Sequence, residues 1–173
     1  MTLDPSILKE FIQESKSLIS QSLEILEEVE SDPHKLKRLE EYGNNVDRIM
    51  GGSKSLAMMV DETHSLHFVG DYCALCKAVG YKSSQILGSP DFVMICVALL
   101  LDATESLQDM VNKLESGKNI ERTQLSHTFL DRLQWVSGQF GKNIRDTVGE
   151  KSIEDSKQKP NEIEDLMKKL GLM

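Results

Sequence analysis

The chain has 173 residues, room for one compact domain of about 100–150 residues plus a tail. Its net charge of -8 with 28% charged residues argues for a soluble acidic protein and against a nucleic-acid or anionic-membrane surface. The longest apolar run, residues 92–101, falls short of the about 20 residues of a bilayer span, the N-terminus lacks a signal-peptide layout, and three cysteines make no disulfide framework, so a cytoplasmic setting without membrane insertion is expected.

Taken in chain order, the patterning is helical. Leu8, Phe11, Ser15, Leu18, Ser22, Ile25 and Val29 recur at alternating three- and four-residue steps, with Ile12, Ile19 and Leu26 widening the stripe into that of an amphipathic helix. Asp4-Pro5 opens it as an N-cap and first-turn proline, and Asp32-Pro33 closes it. A second helix is expected over residues 34–60, a third over 63–87 and a fourth over 90–115, punctuated by Gly88-Ser89-Pro90 and Ser116-Gly117. The fourth is apolar nearly all round at 92–101, which predicts a central place in the bundle. A fifth, over 121–148, carries Leu125, Phe129, Leu133, Val136, Phe140 and Ile144 on one face. No stretch alternates with period two over strand length, so the fold class is all-α: an antiparallel bundle of about five helices over residues 1–148.

Residues 149–160 have linker composition, almost without apolar side chains. Beyond them Asn161 and Glu164 make a capping-box signature, Ile163, Leu166, Met167 and Leu170 fall at i, i+3, i+4 and i+7, and Gly171 ends the helix. A helix this short is marginal in water, because nucleation is unfavourable and few hydrogen bonds offset it. Its stripe needs a surface. Burying four such side chains contributes roughly 6–12 kcal/mol gross, less about 2–5 kcal/mol for ordering. Periodicity alone leaves open whether that surface is the chain's own bundle or another molecule.

On the second helix Leu39, Tyr42, Val46, Ile49, Ser53, Leu56 and Val60 share one side, while Glu40, Asn44, Asp47, Gly51 and Lys54 lie roughly opposite. Gly51 and Gly52 each cost about 1 kcal/mol against alanine in a helix interior, which a closely approaching partner backbone would explain, as would a kink or plain tolerance on a solvated face. Cys73-Ala74-Leu75-Cys76 is a lone CxxC, and His64 and His67 point roughly 180° away from it on one helix, so no zinc set forms and a buried, reduced pair is expected. Gly52-Ser53-Lys54-Ser55 lacks the earlier glycine and the strand of a phosphate-binding loop.

Residues 161–173, Asn-Glu-Ile-Glu-Asp-Leu-Met-Lys-Lys-Leu-Gly-Leu-Met, resemble the C-terminal peptide of the CheZ chemotaxis phosphatase family, with an acidic start, a hydrophobic pair, Leu-Gly and an apolar last residue after a polar linker. The resemblance implies a receiver-docking helix: Ile163, Leu166, Met167 and Leu170 stay poorly ordered alone and fold against a CheY-like response-regulator receiver. Residues 7–115 are similar to histidine phosphotransfer (Hpt) domains of the CheA N-terminal type, because residues 46–56 fit the register of the phosphohistidine motif, with Gly51, Ser55 and Leu56 at matching places. Asp47 stands at the histidine position and Met50 at the lysine position, so phosphoryl relay is not expected. What the resemblance leaves is a receiver-facing surface of Glu40, Asp47, Gly51 and Lys54.

Residues 133–139 resemble the CheZ segment that carries an acid and, four residues on, a catalytic glutamine. Gln139 matches the glutamine, Trp135 replaces the acid, and Asp131 is too far away to substitute. In that family the amide orients a water for in-line attack on the receiver's phospho-aspartate; magnesium comes with the receiver, so no cofactor of the chain's own is implied. Asn44, one turn from Glu40 or Asp47, is a second amide–carboxylate candidate. Trp135 also shares a face with Asp131, Gly138 and Lys142, opposite the apolar stripe, and an exposed tryptophan marks contact with the tail, a receiver or a second copy in a homodimer. The expectation is a chemotaxis or two-component signalling protein that binds a CheY-like receiver and promotes its dephosphorylation. The alternatives are a non-enzymatic pseudo-phosphotransfer scaffold that binds receivers without hydrolysis, and a structural bundle whose tail packs on itself.

Overall fold

The computed structural model describes residues 3–143 and 162–173. The linker at 149–160, and Ile144 with the rest of the fifth predicted helix, lie outside the described residues. The helices are α1 (Pro5–Ser31), α2 (Leu39–Ala57), α3 (Ser65–Ser83), α4 (Pro90–Glu115), α5 (His127–Asn143) and α6 (Glu162–Lys169), with 3-10 turns at Pro33–Arg38 and Arg122–Gln124. The fold is all-α, no strand occurs among the described residues, and none of their helices is long and apolar enough to cross a membrane.

Local hydrogen bonds set the helix starts, and three of them fall later than the apolar pattern predicts. Asp4 accepts from the Ser6 N–H at 2.9 Å and starts α1 as expected. Asp32 accepts from the His34 N–H at 3.0 Å and opens a 3-10 turn, which postpones α2 to Leu39. The His64 ring accepts from the Leu66 N–H at 3.1 Å, so α3 starts at Ser65. Ser126 accepts from the Phe129 N–H at 3.1 Å and starts α5 at His127, leaving the residues before it in the second 3-10 turn.

Helices α1 to α4 pack in cyclic order, α1 on α2, α2 on α3, α3 on α4 and α4 on α1, while α5 lies over α4 and α6 over α3 with its edge on α5. The α2–α3 pair interlocks through two reciprocal tyrosine–glycine steps: a Cβ at Gly43 would stand 2.5 Å from the Tyr81 ring, and one at Gly80 would stand 2.6 Å from the Tyr42 ring. Only glycine lets the helices approach so closely. At Gly52 the Phe11 ring would be 2.9 Å from an added Cβ, which ties α1 to α2 in the same way. The Tyr42 hydroxyl meets Thr104 Oγ1 at 2.9 Å, and Thr104 donates to the Leu100 carbonyl at 2.6 Å. Tyr72 donates to the Ala103 carbonyl at 2.8 Å. Each of these buried bonds contributes about 1 kcal/mol net, and the two made by the tyrosines anchor α2 and α3 to one stretch of α4.

Two expectations are corrected. The more enclosed helix is α3, which has no exposed residue and buries Val69, Tyr72, Cys73, Leu75, Cys76, Ala78 and Val79 over most of its circumference, whereas α4 leaves Ile95 42% exposed. The cause is α6, which covers the outer side of α3. That same packing overturns the expectation of a tail poorly ordered alone: Ile163, Met167 and Leu170 are buried and Leu166 partly so, packed on the chain's own bundle. Lys169 reaches Asp71 at 3.1 Å and Glu162 lies 4.0 Å from Lys82, so α6 runs antiparallel to α3. Ala74 and Ala78 fall between Asp71 and Lys82 on that face of α3, two small side chains that let α6 settle close. Gly171 at φ +72°, with Leu172 N–H bonded to the Met167 carbonyl at 2.8 Å and Gly171 N–H to that of Lys168 at 2.9 Å, closes α6 as a Schellman cap.

Candidate functional site

With Leu39, Tyr42, Val46, Ile49, Ser53 and Leu56 turned into the core, α2 presents Glu40, Asn44, Gly51 and Lys54 outward and holds Asp47 half-buried at the α3 boundary. Three polar contacts join this face to α3. The Tyr81 hydroxyl donates to Asn44 Oδ1. Lys77 pairs with Asp47 at 2.7 Å and stands 5.9 Å from the centre of the Tyr81 ring. Lys54 lies 4.0 Å from Asp71, the carboxylate that also takes Lys169 of α6. Glu40 is turned toward the start of α2, 3.8 Å from Lys37.

Gly51 sits at the centre of this polar strip, exposed, one turn beyond Asp47. An added Cβ there would meet nothing within 4 Å. The other glycines of α2 and α3 each have a side chain against them: Tyr81 at Gly43, Phe11 at Gly52, Lys54 at Gly70 and Tyr42 at Gly80. Gly51 is the exception, a helix-interior glycine with no packing reason of its own.

The α5 candidates occupy a different face. Trp135 is 50% exposed and leans edge-on against Phe92, with centroids 6.3 Å apart and planes at 72°. Gly138, one turn on, is open on the same side, Asp131 is exposed, and Gln139 is half-buried with contacts of its own. The side chain of Lys142 lies outside the described residues. Since α5 packs over α4 while Asn44 stands on α2 beside α3, the two candidate amides do not share a site. No carboxylate occupies the acid position before Gln139, because Trp135 fills it.

Other sequence features resolve into structure. Cys73 and Cys76 are buried, and burial pushes both thiols up, Cys76 to about 12, so neither is a ready thiolate. Ser53 donates to the Leu66 carbonyl at 2.7 Å, an α2–α3 tie that leaves no phosphate loop. His67 bonds the Asp61 carbonyl at 3.0 Å. A groove of about 1050 Å³ gathers His64, His67, His127, Arg122 and Lys169. Sequence spacing carries no signal for it, because its walls come from the start of α3, the turn before α5 and the end of α6. No family model, curated protein or solved structure matches the chain.

Proposed function

We propose that this chain is a receiver-binding protein of two-component signalling, and that a CheY-like response-regulator receiver docks on the outer face of α2 and α3, around Asp47, Gly51, Lys54 and Lys77. The observation that carries the reading is Gly51: an exposed glycine inside α2, with open space above it and the Lys77–Asp47 and Lys54–Asp71 pairs around it, admits a closely approaching partner backbone. The likeness of residues 46–56 to the phosphotransfer register supports the same face. Asp47 in the histidine position, held by Lys77, makes it a recognition surface and not a phosphoryl carrier. The tail helix is the second contact in this reading. Tethering would hold a receiver bound there near the face at about millimolar local concentration.

A second reading adds catalysis, and the Tyr81–Asn44 contact favours it. Fixed by that hydroxyl, the Asn44 amide lies one helical turn from Asp47 and would orient a water toward a receiver's phospho-aspartate, with magnesium supplied by the receiver. Gln139 is the weaker candidate, on another face and without its acid. The test is titration of a CheY-like receiver into the full chain and into Gly51→Gln, which adds a good helix former where nothing of the chain's own is met. The reading expects the variant to stay folded and to bind about tenfold or more weakly, a loss of about 1.4 kcal/mol. Unchanged affinity removes the α2–α3 face from the account.

A further inference from the structure

We infer that α6 is a self-docked latch: in the resting chain the bundle occupies the very side chains the tail would offer to a receiver, so the tail binds only after α6 leaves its seat on α3. This rests on the receiver-binding reading above and adds its regulation. The side chains buried on the bundle, Ile163, Met167 and Leu170, are three of the four that form the docking stripe, so one helix cannot serve both surfaces at once. The seat on α3 is bounded by charges. Its two ends are the ion pairs of Lys169 with Asp71 and Glu162 with Lys82, both partly exposed and open to screening, and helical spacing puts Ala74 and Ala78 between them on the same face of α3. Beyond these, Arg122 donates to the Gly171 carbonyl at 3.2 Å.

The ties among the first four helices do not pass through α6. The tyrosine–glycine interlock of α2 and α3 and the hydroxyl bonds from Tyr42 and Tyr72 to α4 all lie among the first four helices. An eight-residue helix released from its seat has little stability of its own, so opening and unfolding of α6 are one event, separate from global unfolding. When the competent state is a minor population, apparent affinity falls by the competent fraction.

The experiment joins amide hydrogen exchange on the full chain with receiver titrations of the full chain, of its Ala74→Glu and Asp71→Lys variants, and of a synthetic peptide of residues 161–173. Ala74→Glu puts a carboxylate on the seat, and Asp71→Lys repels Lys169. The inference expects α6 amides to exchange about tenfold or more faster than those of α3. It also expects the peptide to bind the receiver about tenfold or more tightly than the tail of the full chain does, and both variants to recover that affinity. Exchange of α6 in step with α3 would overturn the latch and leave receiver binding at the α2–α3 face standing. Separate opening of α6, with neither the peptide nor either variant binding a receiver through the tail, would overturn the latch together with the tail's part in the receiver reading.

Discussion

Gly51 and Gly52 are neighbours in sequence with opposite physical roles. A methyl group at Gly52 would stand 2.9 Å from the Phe11 ring, and one at Gly43 would stand 2.5 Å from Tyr81, so Gly52→Ala and Gly43→Ala should lower stability, by about 1–3 kcal/mol where the packing cannot relax. Gly51→Ala meets nothing and should raise it by about 1 kcal/mol, each value read from urea denaturation. The letters Gly-Gly could not show this difference, because it depends on which side of α2 the Phe11 ring arrives from. The outward placement of Asn44 and Lys54, by contrast, follows from the 3.6-residue period and was legible. Thiols make a second test at this scale. With Cys76 and Cys96 pushed up to about 12 by burial, thiol reagents at neutral pH should label the cysteines only on unfolding. Because these folded values lie above the ordinary 9.0, their contribution to stability is complete below that pH and is lost as pH rises from 9.0 toward 12, visible as an alkaline fall in melting temperature.

Among the elements, the long amphipathic helices were readable from their stripes, while their ends were not. Asp32, His64 and Ser126 each take a backbone N–H that restarts the chain in a new direction, and a hydrophobic pattern cannot report such a bond. Nor could it rank α3 above α4 as the enclosed helix, since both are rich in apolar residues and only the seating of α6 separates them. The joint of α1 with α2 carries a pH signature. Arg38 bonds both Glu28 and Glu41, and its hydrogen bond holds the Glu28 carboxyl below the ordinary 4.5. A lowered carboxylate contributes stability above 4.5 that fades as pH falls through its folded value, so Glu28→Gln should melt below the parent chain at pH 7 and coincide with it once Glu28 is protonated. The difference is small, because the pair is exposed.

For the molecule as a whole, the bundle supplies an α2–α3 face with a glycine opening at its centre, and α6 sits at the edge of that face through the Asp71 carboxylate shared by Lys54 and Lys169. That shared carboxylate was invisible in the sequence, as it joins α2 and α3 to a helix almost a hundred residues further on. If the chain speeds receiver dephosphorylation through this face, the decay of a phosphorylated receiver should slow about 10- to 100-fold in Asn44→Ala and stay unchanged in Gln139→Ala. Docking of a receiver on the α2–α3 face is tested by amide chemical-shift mapping of the isotope-labelled full chain during titration with a phosphorylated CheY-like receiver. Docking there should give shifts centred on residues 44–54 of α2 and 77–81 of α3, and these should be lost in Gly51→Gln. Shifts confined to α4 and the Trp135 side of α5, or a spectrum that does not change, would contradict it.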